Sequence, residues 1–77
     1  MKTFYIRLNT IQDVRDFVNA VSTSDFDIDL TSGRYVVDAK SIMGIFSLDL
    51  LSPIKVTVHS DDDIGALEDK LSKFIVK

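Results

Sequence analysis

The sequence contains no cysteine and no tryptophan, a single histidine, a single proline and three glycines. Without cysteine there is no disulfide framework, no thiol nucleophile and no thiolate zinc site, a usage that fits a cytoplasmic protein. One histidine excludes a multi-histidine metal centre. No apolar run approaches the roughly 20 residues that cross a bilayer, and the N-terminal Met1-Lys2-Thr3-Phe4-Tyr5-Ile6-Arg7 is too short and too alternating to read as a signal peptide. Positive charge is also scarce. Nine basic residues against twelve acidic ones give a net charge of −3. That argues against a nucleic-acid partner, which calls for a basic face.

What remains is ordinary globular material, 45% hydrophobic and 27% charged over 77 residues. This is enough for one domain, 1–77, with a modest core, because a chain this size buries only about 60–65% of its unfolded surface. No repeat, linker or low-complexity stretch divides it.

Alternation sets out the strands. Phe4, Ile6 and Leu8 alternate with Thr3, Tyr5 and Arg7, which predicts a half-buried strand over 3–8. Asp25 to Leu30 places Phe26, Ile28 and Leu30 inside and three aspartates outside. Ser32-Gly33 signals a turn, and Tyr35, Val37 and Ala39 continue as the inner side of a hairpin partner. Ile54, Val56 and Val58 form the inner side of a fourth strand.

Helical spacing fills the gaps. Ile11, Val14, Phe17, Val18 and Val21 predict a helix over 10–22, opened by Thr10 with Asp13 as a variant capping box. Ser41 can cap a short helix running to about Leu50, before Ser52-Pro53. Ser60 and Asp63 repeat the variant box, and Ile64, Leu67, Leu71, Phe74 and Ile75 predict a last helix to the C-terminus. Asp61-Asp62-Asp63 then lies in its positive first turn, with Lys70, Lys73 and Lys77 toward its negative end. These three aspartates lack the alternating ligand spacing and closing glutamate of a calcium loop. Strands with one apolar face and helices with one apolar stripe give an α+β fold: a four-stranded antiparallel sheet with three helices on one side. Arg7, Asp25, Asp27, Asp29, Lys55 and Thr57 fall on its wet side.

The most informative stretch is Lys40-Ser41-Ile42-Met43-Gly44-Ile45-Phe46-Ser47-Leu48. Its apolar side chains exceed what one face of a short helix can bury. Ile45 and Leu48 suit the core, with Ile42 between core and surface. Met43 and Phe46, the better candidates for exposure, and Ile42 with them are candidates for a docking patch with protein partners. Ser41 reads as a helix cap or, additionally, as a phosphorylation site, since a helix N-terminus accommodates phosphate.

This stretch, with the order of elements, Asp27-Ile28-Asp29-Leu30 and Val56-Thr57-Val58, resembles the HPr family, the small phosphocarriers of the bacterial sugar phosphotransferase system. The resemblance implies an open-faced β-sandwich with strand order 1-4-2-3, no enzyme activity of its own and no cofactor. It also implies a phosphoryl-accepting histidine at the start of the first helix, in a His-Ala-Arg-Pro setting. Aligned without gaps from Leu30, this chain has Thr10 in place of the histidine, Gln12 in place of the arginine and Asp13 in place of the proline. Carrier chemistry needs a nucleophilic nitrogen and a cation to hold the incoming phosphate. Thr10 lacks a base, and Asp13 adds negative charge where an anion would sit.

The family's second site is a regulatory serine at the start of the short helix, the target of a dedicated kinase in Gram-positive bacteria. Ser41 matches it, with Lys40, Ile42, Met43 and Gly44 intact. Family members without the histidine act in regulation, docking onto a transcription regulator. The expectation is a regulatory protein-binding module. The alternatives are a carrier with a displaced acceptor, Thr10 or His59, and an interaction module with no phosphorylation. His59 otherwise reads as a surface residue. Arg15 is a weak phosphate ligand between Asp13 and Asp16.

Overall fold

The computed structural model describes residues 1–76, so the reading of Lys77 lies outside the described residues. Its elements are β1 (Lys2–Ile6), α1 (Ile11–Ser22), β2 (Ile28–Ser32), β3 (Tyr35–Asp38), α2 (Ile42–Phe46), β4 (Ile54–Val58) and α3 (Gly65–Lys70). The strands form an antiparallel sheet in the order β1-β4-β2-β3, the arrangement the resemblance implied.

The period of two in each strand becomes rows across the sheet. Phe4, Val56, Leu30 and Val37 stand in one row on the helix side. Thr3, Thr57, Asp29 and Asp38 form the adjacent row on the open side. The inner rows meet Val14, Phe17 and Val21 of α1, Ile45 of α2 and Leu67 of α3 in a single buried cluster. Phe17 and Phe74 meet edge to face at 6.0 Å and 76°, the geometry that brings a positive ring edge onto a negative face.

Gly33 closes the β2–β3 hairpin with φ +60°. Gly33 and Arg34 form the two-residue loop between Ser32 and Tyr35. No non-glycine residue among those described has positive φ, which is the type II′ pattern with glycine first, the turn that matches strand twist.

Several expectations are corrected. Ile11 is 64% exposed: it sits in the first turn of α1, and the buried stripe starts only at Val14. Tyr35 is also exposed, at the hairpin end, where it borders an open cleft between the turn and the 47–53 loop. Strand β2 begins at Ile28, after Ser24 Oγ has drawn the Phe26 amide into a turn.

Helix α2 ends at Phe46 rather than near Leu50. The Ser47 amide reaches the Gly44 and Ile45 carbonyls, tightening the last turn, and Leu48 then leaves the helix axis to enter the core. The last helix is shorter still. Ser60 Oγ accepts from the Asp62 amide and Asp63 Oδ1 from Gly65, so both side chains close local turns, and Ile64 caps α3 with no side-chain bond. Beyond Leu71 the chain turns instead of continuing as helix, because β1 offers free backbone groups. Arg7 N–H donates to Phe74 O and Val76 N–H to Tyr5 O, with a bridge between Ile6 and Ile75. Leu71 and Phe74 are nevertheless buried as their spacing predicted.

Candidate functional site

Serine opens α2 because its side chain satisfies a first-turn amide that the helix cannot. Ser41 Oγ accepts from the Gly44 amide at 3.2 Å. The residue is exposed, and its backbone is extended at φ −100° and ψ 102°. Preceding it, Asp38 Oδ1 accepts from the Lys40 amide and Asp38 O from the Ser41 amide, so two turn bonds hold the β3–α2 connection. Lys40 Nζ is turned away to Ser24 O at 2.8 Å.

Ile45 is fully buried and Leu48 nearly so. Met43 is 77% exposed and Phe46 41%. Ile42 lies between, half-buried against the core. The helix therefore divides its apolar residues much as the spacing indicated, with Ile42 more a foundation than a contact. Gly44 lets the helix approach β3. A Cβ at Gly44 would lie 3.2 Å from Val37 Cβ and 3.1 Å from Ser41 Oγ.

Leu51 is an exposed apolar residue that the sequence reading passed over, at 88% exposure. It lies in the loop after α2, where Asp49 Oδ1 accepts its amide and Arg7 Nη2 donates to its carbonyl at 3.3 Å. The signal was the Leu50-Leu51 pair, of which a turn can bury only one. Leu50 packs against the core.

At the start of α1, Thr10 Oγ1 accepts from the Asp13 amide at 3.0 Å. Asp13 Oδ2 reaches back to the Asn9 amide at 3.0 Å, one residue before the cap. Gln12 Nε2 donates to Asp16 Oδ1. Thr10, Gln12 and Asp13 are thus tied into helix capping and side-chain bonds, with two carboxylates beside them. No histidine stands in or before α1. Among the described residues, no group of three His, Cys, Asp or Glu side chains is placed to hold a metal ion, and no helix is long and apolar enough to cross a membrane.

His59 follows β4, remote in sequence from α1 and α2. Its Nε2 lies 2.7 Å from Asp29 Oδ2, and its amide donates to Asp27 O.

A four-stranded 1-4-2-3 sheet covered on one side by three helices, the short one capped by a serine, is an open-faced β-sandwich. Residues 13–76 match the family model described as "PTS HPr component phosphorylation site", and the chain belongs to the HPr family. The match starts at Asp13 and leaves Thr10 and Gln12 outside it. Similar solved structures include HPr-C-His from Thermoanaerobacter tengcongensis, 27% identical with a TM-score of 0.76, covering 95% of this chain and 89% of that one. The phosphocarrier protein HPr from Bacillus anthracis str. Ames is 26% identical with a TM-score of 0.72, covering 95% of each chain.

Proposed function

We propose that this chain is a single-domain regulatory member of the HPr family that works by protein contact through the Ser41–Leu48 surface, with Ser41 as a kinase target and without phosphohistidine transfer. The observation that carries this reading is the 77% exposure of Met43 beside an exposed Ser41. A large flexible apolar side chain held in water two residues from a modifiable hydroxyl suits a contact that phosphate can gate. Phosphate on Ser41 would add negative charge at the end of α2 where the helix dipole tolerates it, changing the surface without unfolding the helix.

The start of α1 supports the negative half of the proposal. An incoming phosphoryl group there would meet Asp13 and Asp16, and the hydroxyl of Thr10 is already the α1 cap. The partners this reading implies are a serine kinase and a transcription regulator, both proteins.

Incubation with phosphoenolpyruvate and the general phosphotransferase enzyme, and separately with the family's serine kinase and ATP, tests it. Acid-stable label that disappears in Ser41→Ala is the expected result. Label retained in that variant sinks the Ser41 assignment. Acid-labile label lost in His59→Ala makes the chain a carrier with a displaced acceptor. Label at no residue leaves a docking module that phosphorylation does not regulate.

A further inference from the structure

We propose that Met43 is a redox gate on the docking surface: oxidation of its thioether to the sulfoxide by a peroxide closes the Ser41–Leu48 face to protein partners, and reduction reopens it. The proposal rests on the reading of that face as a contact surface and adds a second control to it.

The chain holds two sulfur atoms, in Met1 and Met43, and no cysteine. No thiol is present to consume an oxidant first. Met43 is 77% exposed and Met1 73%, so dissolved peroxide reaches both thioethers alike. Their surroundings differ. Met1 precedes β1, and its ammonium pairs with Asp61 Oδ1 at 2.7 Å. Strand β1 lies at the opposite end of the sheet from β3, the strand that leads into α2. Met43 stands in the first turn of α2, two residues after Ser41 and three before Phe46. Side chains three apart are neighbours on a helix, so Met43 and Phe46 present their exposed apolar atoms together. A partner that covers Phe46, or that reaches the Ser41 hydroxyl, meets the Met43 sulfur.

The thioether sulfur attacks one peroxide oxygen. An S–O bond forms as the O–O bond breaks, and sulfur gives up two electrons. The departing oxygen takes the proton from the new S–OH group and leaves as water. The product is a polar, chiral sulfoxide, an acceptor with no donor of its own. Solvent satisfies that oxygen while the surface is free. Under an apolar partner surface it loses its water and gains no donor, a penalty the thioether does not incur. A methionine sulfoxide reductase removes the oxygen as water, two thiols closing to a disulfide, and the apolar contact returns.

The fold beneath is insulated from this chemistry. Ile45 and Leu48 anchor α2 in the core, with Ile42 half-buried against it, and none of the three carries an oxidisable atom. The sulfoxide thus changes the contact surface and leaves its foundation in place.

Hydrogen peroxide treatment of the full chain tests the gate. Tryptic cleavage after Lys2 and Lys40 separates Met1 from Met43, so peptide masses locate each added oxygen. The family's serine kinase with ATP then serves as the partner that must cover this face, and the rate of Ser41 labelling is the readout. Met43 should oxidise as readily as Met1, with the circular dichroism spectrum and urea midpoint unchanged. The labelling rate should fall about fivefold or more, as expected for a polar group left without a partner. Methionine sulfoxide reductase with dithiothreitol should restore it. Met43→Leu, which peroxide oxidises at Met1 alone, is compared with itself before and after treatment, and its rate should not change. Equal labelling of the oxidised and reduced parent overturns the gate. So does a Met43 that resists peroxide while Met1 reacts, a Met43→Leu chain slowed by peroxide, or an oxidised parent that unfolds. Each of these leaves Ser41 a kinase target. A reduced parent that takes no label at Ser41 instead fails the Ser41 reading, and the gate with it.

Discussion

Asp29 and Asp38 stand directly opposite each other on β2 and β3, on the open side of the sheet. Like charges at facing positions oppose strand pairing. His59 sits 2.7 Å from Asp29 and the Lys40 amide donates to Asp38 Oδ1, but the Lys40 ammonium is committed to Ser24. Asp38→Asn keeps an oxygen for the Lys40 amide and removes one of the two charges. It should stabilise the domain by about 0.2–1 kcal/mol. Urea unfolding measures this. The gain should shrink as salt rises toward about 1 M, where the Debye length falls to roughly 3 Å.

Gly33 is the one described residue with positive φ. A Cβ there meets no atom within 4 Å, so any cost of Gly33→Ala comes from backbone conformation and none from crowding. The left-handed region costs an L-residue roughly 1–2 kcal/mol. Gly33→Ala should therefore destabilise the domain by about that much, while a D-alanine introduced by chemical synthesis at the same position should match or exceed glycine. Chemical denaturation of the two variants gives the comparison.

Asp16 links α1 to the C-terminal segment, with Lys73 Nζ 3.1 Å from its Oδ2 and 5.0 Å from the Phe74 ring centroid. The Gln12 amide first, and then the Lys73 ammonium, hold the Asp16 carboxyl below its ordinary value of 3.8. A depressed folded-state value means that the carboxylate supports folding above the ordinary value and loses that support as pH falls through the depressed one. Asp16→Asn should thus lower the thermal midpoint near neutral pH, with the deficit closing as pH falls below the ordinary carboxyl value and the parent carboxyl protonates. Thermal melts across that range follow the gap directly. A gap that persists in strong acid would assign the effect to packing of the amide.

The sheet was legible because its alternation is regular. Phe4, Ile28, Leu30, Val56 and Val58 each point where period two places them, and hairpin chemistry at Gly33 fixed the register. Helix lengths were less so. Phe74 and Leu71 have helical spacing and are buried, yet α3 stops at Lys70 because an open β1 edge competes for the chain, a tertiary effect that no local pattern records. At the site, the caps Thr10 and Ser41 were readable from side-chain chemistry alone. The Leu50-Leu51 pair signals that one of the two is exposed, but not which, since that depends on Arg7 holding the Leu51 carbonyl from the far side of the sequence.

Helix α2 offers the sharpest contrast between foundation and surface. Ile45 is fully enclosed, and Met43, two residues earlier, is mostly in water. Ile45→Ala removes buried methyl groups and leaves a void, which should cost about 2–4 kcal/mol, a large share of the roughly 5 kcal/mol that holds a domain this small. Met43→Asp replaces an exposed side chain in the first turn of a helix, where the positive end of the dipole favours an acid. Its stability should stay within about 0.5 kcal/mol of the parent. Equilibrium urea unfolding of the two variants separates the roles without knowledge of any partner. A Met43→Asp loss comparable to that of Ile45→Ala would mean that Met43 is part of the core, and the docking surface proposed for Ser41 to Leu48 would lose its principal apolar contact. With stability intact, Met43→Asp becomes the variant of choice for partner capture, because any lost binding then reports on the surface itself and not on the fold beneath it.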